Sequence, residues 1–131
     1  QKHGLLPLTQ HAMMIGGDLA YHDYEGVALE LDERERLVKD IGDKTFMLLR
    51  NHGTLVVGKS CADAFLRAYY LERACSMQVR ALAGADANQV NQGVDTKTEG
   101  VGRIGFDGFM GAISWPALMR KLERIDGGYR H

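Results

Sequence analysis

The sequence predicts a single α/β domain. Short apolar, β-branched runs alternate along the chain with segments whose apolar residues recur at helical spacing. With 131 residues, 45% of them hydrophobic, the chain can bury one core but is too short for two ordinary domains. Its 16 basic and 17 acidic residues leave a formal net charge of -1, so the charge balance gives no indication of a nucleic-acid or acidic partner.

Three runs of residues predict strands. Residues 19–24 mix aromatic and polar side chains at strand-like spacing and stop at Glu25-Gly26. Residues 45–50 and 54–57 are apolar or β-branched, and the turn-like tripeptide 51–53, which contains His52, separates them. We therefore expect two buried strands joined by a tight polar turn. Residues 5–14, interrupted by Pro7, are interpreted as a short buried strand or turn.

Three further segments predict helices. Residues 32–41 carry a capping-box-like start and end at Gly42, and a final amphipathic helix is expected to begin at an N-cap, Ser114, and to end at Gly127-Gly128. Between them, Ser60 is predicted to cap a long helix that reaches Gly84. Its buried face is expected to comprise the apolar residues Cys61, Phe65, Ala68, Tyr69, Cys75, Val79 and Leu82.

The two cysteines fall in this long helix, so at ~1.5 Å rise per residue they lie roughly 20 Å apart and cannot form a disulfide. We expect both thiols to pack against apolar neighbours. Between residues 86 and 111 the composition turns to glycine and polar residues, which predicts a mobile surface segment. No apolar run approaches the ~18 residues of a membrane span and no signal peptide is apparent, so we expect a cytoplasmic protein. The absence of an initiator methionine suggests a partial domain.

The five histidines form no H-x-H or H-x3-H pair, and the two cysteines form no CxxC pair. No short segment of the sequence therefore contains a complete zinc site. His52 differs from the others because a strand-end turn beside glycine can present an imidazole from a rigid scaffold. The polar cluster at residues 22–25 contains the usual acids and bases. We favour a strand margin that faces solvent or a neighbouring subunit over a proton-transfer site, and we assign no residue a catalytic role.

Residues 50–53, Arg-Asn-His-Gly, followed by the apolar run 54–58, resemble the segment of class II aldolase/adducin domains that ends in a zinc-binding histidine. The bacterial, adducin-like branch of that family is also similar at four other places in the same order: residues 4–10, 21–26, 64–75 and 115–129. The resemblance implies a three-layer α/β domain with a central, mainly antiparallel β-sheet flanked by helices. It also implies a homo-oligomer, often a tetramer, with active sites near subunit interfaces.

The family's enzymes bind zinc through an upstream H-x-H pair and the histidine that corresponds to His52, and an upstream acid transfers protons. By this resemblance His52 is a metal ligand, Zn2+ is the cofactor of the full-length protein, and the site within this chain is incomplete. The implied reaction is that of a zinc-dependent aldolase or epimerase-like enzyme, in which zinc polarises a small sugar phosphate or hydroxycarbonyl substrate and stabilises an enediolate. The alternative is a non-catalytic adducin-like binding or cytoskeletal interaction domain, and the residues leave this choice open.

Overall fold

The computed structural model describes residues 2–26, 33–84, 86 and 105–130. Secondary structure runs in the order α1 (Gln10–Gly16), β1 (Leu19–His22), α2 (Glu33–Ile41), β2 (Phe46–Leu49), β3 (Gly53–Val56) and α3 (Cys61–Ala81), followed by a π-helical turn (Gly105–Phe109), α4 (Met110–Ile125) and a 3-10 turn (Gly127–Arg130). The three strands predicted within residues 19–24, 45–50 and 54–57 and the three predicted helices are thus present, and the α/β class is confirmed. Across the described ranges, no helix is long and apolar enough to span a membrane.

The three strands form one sheet in the order β1-β2-β3. β1 pairs with β2 in parallel, with Leu19 opposite Phe46, whereas β2 pairs with β3 antiparallel. The middle strand is the most buried, because Phe46 and Met47 have 0% of their surface exposed. One parallel and one antiparallel pair make this part of the sheet mixed.

The interpretation of residues 5–14 as a strand or turn was wrong, because a helix, α1, begins at Gln10. Thr9 caps it: the Thr9 hydroxyl accepts a hydrogen bond from the Ala12 amide at 3.2 Å. Ala12 and Ile15 bury the inner side of α1 in the core. Pro7 was taken as an interruption of a strand, but it lies outside the helix and before its cap.

The long helix α3 begins as predicted, with the Ser60 hydroxyl accepting from the Asp63 amide at 3.2 Å. Its predicted buried face was wrong. Phe65, Tyr69 and Val79 are 47%, 51% and 60% exposed. Cys61 is also exposed, and Cys75 is half-buried. The residues that α3 does bury are Asp63, Leu66, Arg67, Leu71, Ala74 and Gln78.

Polar residues face inward on α3 because each finds specific partners. The Gln78 amide group accepts from the Leu6 amide at 2.6 Å and donates to the Gly4 carbonyl at 2.7 Å, which ties the N-terminal segment to the helix. Arg67 is also buried, and its guanidinium donates to the carboxylate of Asp63 and to the backbone carbonyl of Phe106. A purely apolar inner face therefore cannot be assumed for this helix.

The last helix, α4, begins at Met110 rather than at the expected cap, so Ser114 and Pro116 lie inside it. The π-helical turn before it contributes Phe106, whose ring packs edge-on against Phe46 at 5.4 Å between centroids. Residues 105–111, the end of the segment predicted to be mobile, are therefore helical and in part buried. Residues 87–104 lie outside the described ranges, and for them mobility stays a prediction.

Candidate functional site

The turn between β2 and β3 presents His52 at one end of the sheet. Asn51 adopts a left-handed backbone with φ 55, which asparagine tolerates better than most residues. The His52 amide then donates to the Leu49 carbonyl at 3.1 Å and closes the turn. Its side chain is exposed. The predicted tight turn around His52 is confirmed, whereas its role as a metal ligand stays a prediction.

His22 is the last residue of the neighbouring strand, β1, at the same end of the sheet as the turn. It pairs with Leu49 across β1 and β2, and its carbonyl accepts from the Arg50 amide at 2.9 Å. His22 is only 4% exposed. The expectation that this strand margin faces solvent or a subunit was therefore wrong for His22, although Asp23 and Tyr24 are exposed. The structure packs the imidazole against α2 instead.

Two carboxylates of α2 flank the His22 ring. Nδ1 lies 2.7 Å from an Asp40 carboxylate oxygen, within hydrogen-bond distance. Nε2 lies 3.8 Å from a Glu33 carboxylate oxygen, and it has no hydrogen-bond partner in the described part of the chain although it is buried. A carboxylate only accepts hydrogen bonds when ionised, so we assign the proton of a neutral His22 to Nδ1. The nitrogen without a proton in this tautomer is Nε2, which lies 3.8 Å from Glu33.

Glu25 completes the cluster. One ligand atom each from His22, Glu25 and Glu33 lies within 4.8 Å of the other two. The Glu25 carboxylate also accepts from the guanidinium of Arg36, with Nε at 2.9 Å and 2.7 Å from its two oxygens. A small pocket is lined by this cluster and by His52. The exposed histidine of the turn therefore shares a pocket with a buried histidine and three carboxylates, those of Asp23, Glu25 and Glu33.

A second, wider concavity of about 520 Å³ opens beside this pocket. Its lining is mostly polar and includes Arg36, Lys39 and Arg50. Arg50 lies over the Tyr21 ring at 5.2 Å from its centroid and pairs with Asp23 at 3.0 Å. The volume falls within the ~300–1,000 Å³ range of small-molecule sites.

A catalytic zinc site takes three protein ligands and keeps one position for water or substrate. The residues described here offer one grouping of three candidate ligands, His22, Glu25 and Glu33, and His52 is not a member of it. We therefore derive no catalytic step through a metal at His52, and the incompleteness of its ligand set within this chain stays a prediction. Sequence reasoning missed Glu33 and Asp40 altogether. The alternation in β1, where Ala20 and His22 share a buried face, could have indicated that His22 is buried, but it gives no signal for the two carboxylates of α2.

Comparison with known proteins agrees with the fold. The sequence profile of the Class II Aldolase and Adducin N-terminal domain matches residues 1–79. A Caulobacter vibrioides relative, provisionally named an aldolase class 2 protein, is 49% identical over 98% of this chain and 50% of its own length. The crystal structure of an aldolase II superfamily protein from Pseudomonas syringae superposes with a TM-score of 0.87 at 42% identity, covering 100% of this chain and 53% of that protein.

Similarity extends to animal proteins. Gamma-adducin of Rattus norvegicus is 35% identical over 98% of this chain, which corresponds to 20% of the adducin. The chain thus spans about half the length of its bacterial relatives and a smaller share of the adducin. The profile covers more than half of the chain, and the alignments with the Caulobacter relative and with gamma-adducin each cover 98% of it. The chain belongs to the class II aldolase and adducin family.

Proposed function

We propose that the full-length protein is a zinc-dependent aldolase or epimerase-like enzyme that acts on a small sugar phosphate or hydroxycarbonyl compound. The observation that carries the proposal is the position of His52, whose exposed side chain stands in the closed turn between β2 and β3. A family whose bacterial relatives are named for aldolases supports the same reaction class.

In this proposal His52 contributes one neutral imidazole to the zinc ion. Two more histidines and a proton-transferring acid must come from residues outside the described set. When bound, zinc would polarise the substrate's oxygens and stabilise negative charge next to the carbonyl. The hairpin's own contribution is to hold the His52 backbone still, so that little conformational entropy is lost when the ring engages the metal.

A second function is an adducin-like binding domain without catalysis. It is favoured by the 35% identity to gamma-adducin over 98% of this chain. Both functions are compatible with a cytoplasmic homo-oligomer, and a tetramer is our expected assembly. Large exposed apolar side chains on α3 and α4, such as Tyr69 and Ile113 at 51% and 61% exposure, support packing against another protein surface.

The deciding experiment measures zinc in the full-length protein, purified without chelators, by elemental analysis. We expect His52→Ala to lose one equivalent of zinc per chain and to abolish cleavage of a sugar phosphate. The matched control is His3→Ala, because His3 is exposed and lies outside the pocket. Unchanged zinc in His52→Ala would contradict the ligand role. A wild-type protein without zinc and without activity would support the binding domain instead.

A further inference from the structure

We propose that His22, Glu25 and Glu33 form a divalent-cation site of their own, distinct from the zinc site expected at His52. The site takes an ion that accepts mixed nitrogen and oxygen ligands, such as Zn2+ or Mn2+. Asp40 is its positioning residue. The inference does not depend on the aldolase activity proposed above, because it uses three side chains that the enzyme hypothesis leaves without a role.

The first argument is the state of the His22 ring. Histidines that bind metals almost always donate their second ring N–H to a carboxylate, a carbonyl or water, which fixes the tautomer and the ring orientation. The 2.7 Å contact from His22 Nδ1 to Asp40 supplies this arrangement. The other nitrogen is buried and lacks a hydrogen-bond partner in the structure as described. A buried polar atom without a partner is unfavourable, and a bound cation would remove that cost.

The second argument is the spacing of the ligand atoms. At metal–ligand distances of ~2.0–2.2 Å, two ligands of a tetrahedral ion lie ~3.3–3.5 Å apart. The His22 Nε2 to Glu33 Oε1 distance is 3.8 Å, and all three candidate atoms lie within 4.8 Å of one another. Rotations of the two glutamate side chains would suffice to close the remaining gap. The backbone of β1, which is held in the sheet, need not move.

The third argument is charge. Glu33 is 13% exposed, and its one ion pair within the described chain is the 3.8 Å contact to His22. Among the described residues, Glu33 therefore has no ion-pair partner other than the His22 ring, and a carboxylate at this depth is unfavourable unless a positive charge lies beside it. A divalent cation held between the ligand atoms would supply that charge.

Arg36 sets an upper limit on the affinity. Its guanidinium already binds both oxygens of Glu25, with the closest contact, from Nη2, at 2.6 Å. A carboxylate has about four lone-pair positions, so Glu25 can keep Arg36 and still offer one lone pair to a metal. The nearby positive charge weakens that bond. Glu33 and His22 must therefore supply most of the binding energy.

The test titrates the metal-free full-length protein with Zn2+ by calorimetry and compares Glu33→Gln with Glu35→Gln. Both residues lie in the first turn of α2, but Glu35 is exposed and does not line the pocket. We expect Glu33→Gln to lose the binding heat of one site and Glu35→Gln to retain it. Asp40→Asn should weaken the same site about 10–100-fold, because it removes the acceptor that orients the ring. Circular dichroism checks that each variant is folded.

Crystals of the full-length protein soaked in Zn2+ give a second readout. An anomalous peak within about 2.2 Å of His22 Nε2 is expected. If there is no peak there and Glu33→Gln binds zinc as Glu35→Gln does, the inference is wrong. His52→Ala separates the two sites. Loss of zinc in His52→Ala but not in Glu33→Gln supports the proposed enzyme and overturns this site, and the reverse pattern supports this site and contradicts the enzyme's ligand.

Discussion

Arg67 offers the sharpest test of how this fold is held together. Only 7% of its side chain is exposed, yet it carries a full positive charge. Its Nε donates to the Asp63 carboxylate at 3.1 Å, and its other nitrogens donate to the Thr45 hydroxyl and the Phe106 carbonyl. The guanidinium also lies 5.6 Å from the Phe46 ring centroid. One side chain thus joins α3 to the start of β2 and to the π-helical turn.

We expect Arg67→Met to destabilise the protein by about 3–5 kcal/mol, because removal of one member of a buried pair leaves the other charge without its partner. Asp63, which is 2% exposed, would keep only the backbone hydrogen bond from Lys59 at 3.0 Å. Replacing both members, in Arg67→Met with Asp63→Leu, should cost less than the sum of the two single changes, because the buried Asp63 charge is then not stranded. Asp18, the other carboxylate beside Arg67 at 3.7 Å, is 35% exposed and can be solvated by water.

The assay is urea unfolding of the full-length protein, followed by far-UV circular dichroism and extrapolated linearly to water. Arg73→Met is the matched control, since Arg73 lies on the same helix and is exposed. It should change the free energy of unfolding by no more than about 0.5 kcal/mol. If Arg67→Met were as mild as this control, or if the double change were fully additive, the buried network would not carry the stability assigned to it.

Two further predictions use the same protein. Asn51→Ala should lower the free energy of unfolding by about 1 kcal/mol because alanine is disfavoured at φ 55, whereas Asn51→Gly should be close to neutral; equal effects in urea unfolding would exclude backbone strain as the cause. Burial, and secondarily the negative charge of Glu72, raises the pKa of the Cys75 thiol. Less thiolate is then present near neutral pH, so Cys75 should react with iodoacetamide more slowly than the exposed Cys61, and its rate should keep rising as the pH passes the ordinary thiol range. Mass spectrometry of both sites, with Cys61→Ser as a control, measures this, and faster labelling of Cys75 would refute it.

The sequence predicted correctly those helix starts and strands that are held by contacts between residues close together in the chain. The Ser60 cap acts on the Asp63 amide, three residues away, and the strands of the hairpin are held by neighbours in sequence. The face of α3 could not be predicted in this way. Its apolar residues recur at helical spacing, but the orientation of the helix follows from Arg67 and Gln78, whose partners lie far away in sequence. Hydrophobic periodicity assumes an apolar interior, and here the interior side of α3 carries three polar residues.

The same distinction between local and distant causes applies to the candidate site. His52 could be singled out from sequence because its turn is encoded by adjacent residues and its resemblance is a short motif. His22 could not be singled out in this way, because its surroundings depend on Asp40 and Glu33, which lie on a separate helix, α2. The same distinction gives the two histidines different chemistry. The nitrogens of an exposed histidine in a turn can form hydrogen bonds with water, whereas those of a buried histidine need a partner within the protein or a bound ligand. The buried Nε2 of His22, which has no hydrogen-bond partner among the described residues, is therefore stronger evidence for a bound ligand than the exposure of His52, even though only His52 lies in the motif that resembles the family's.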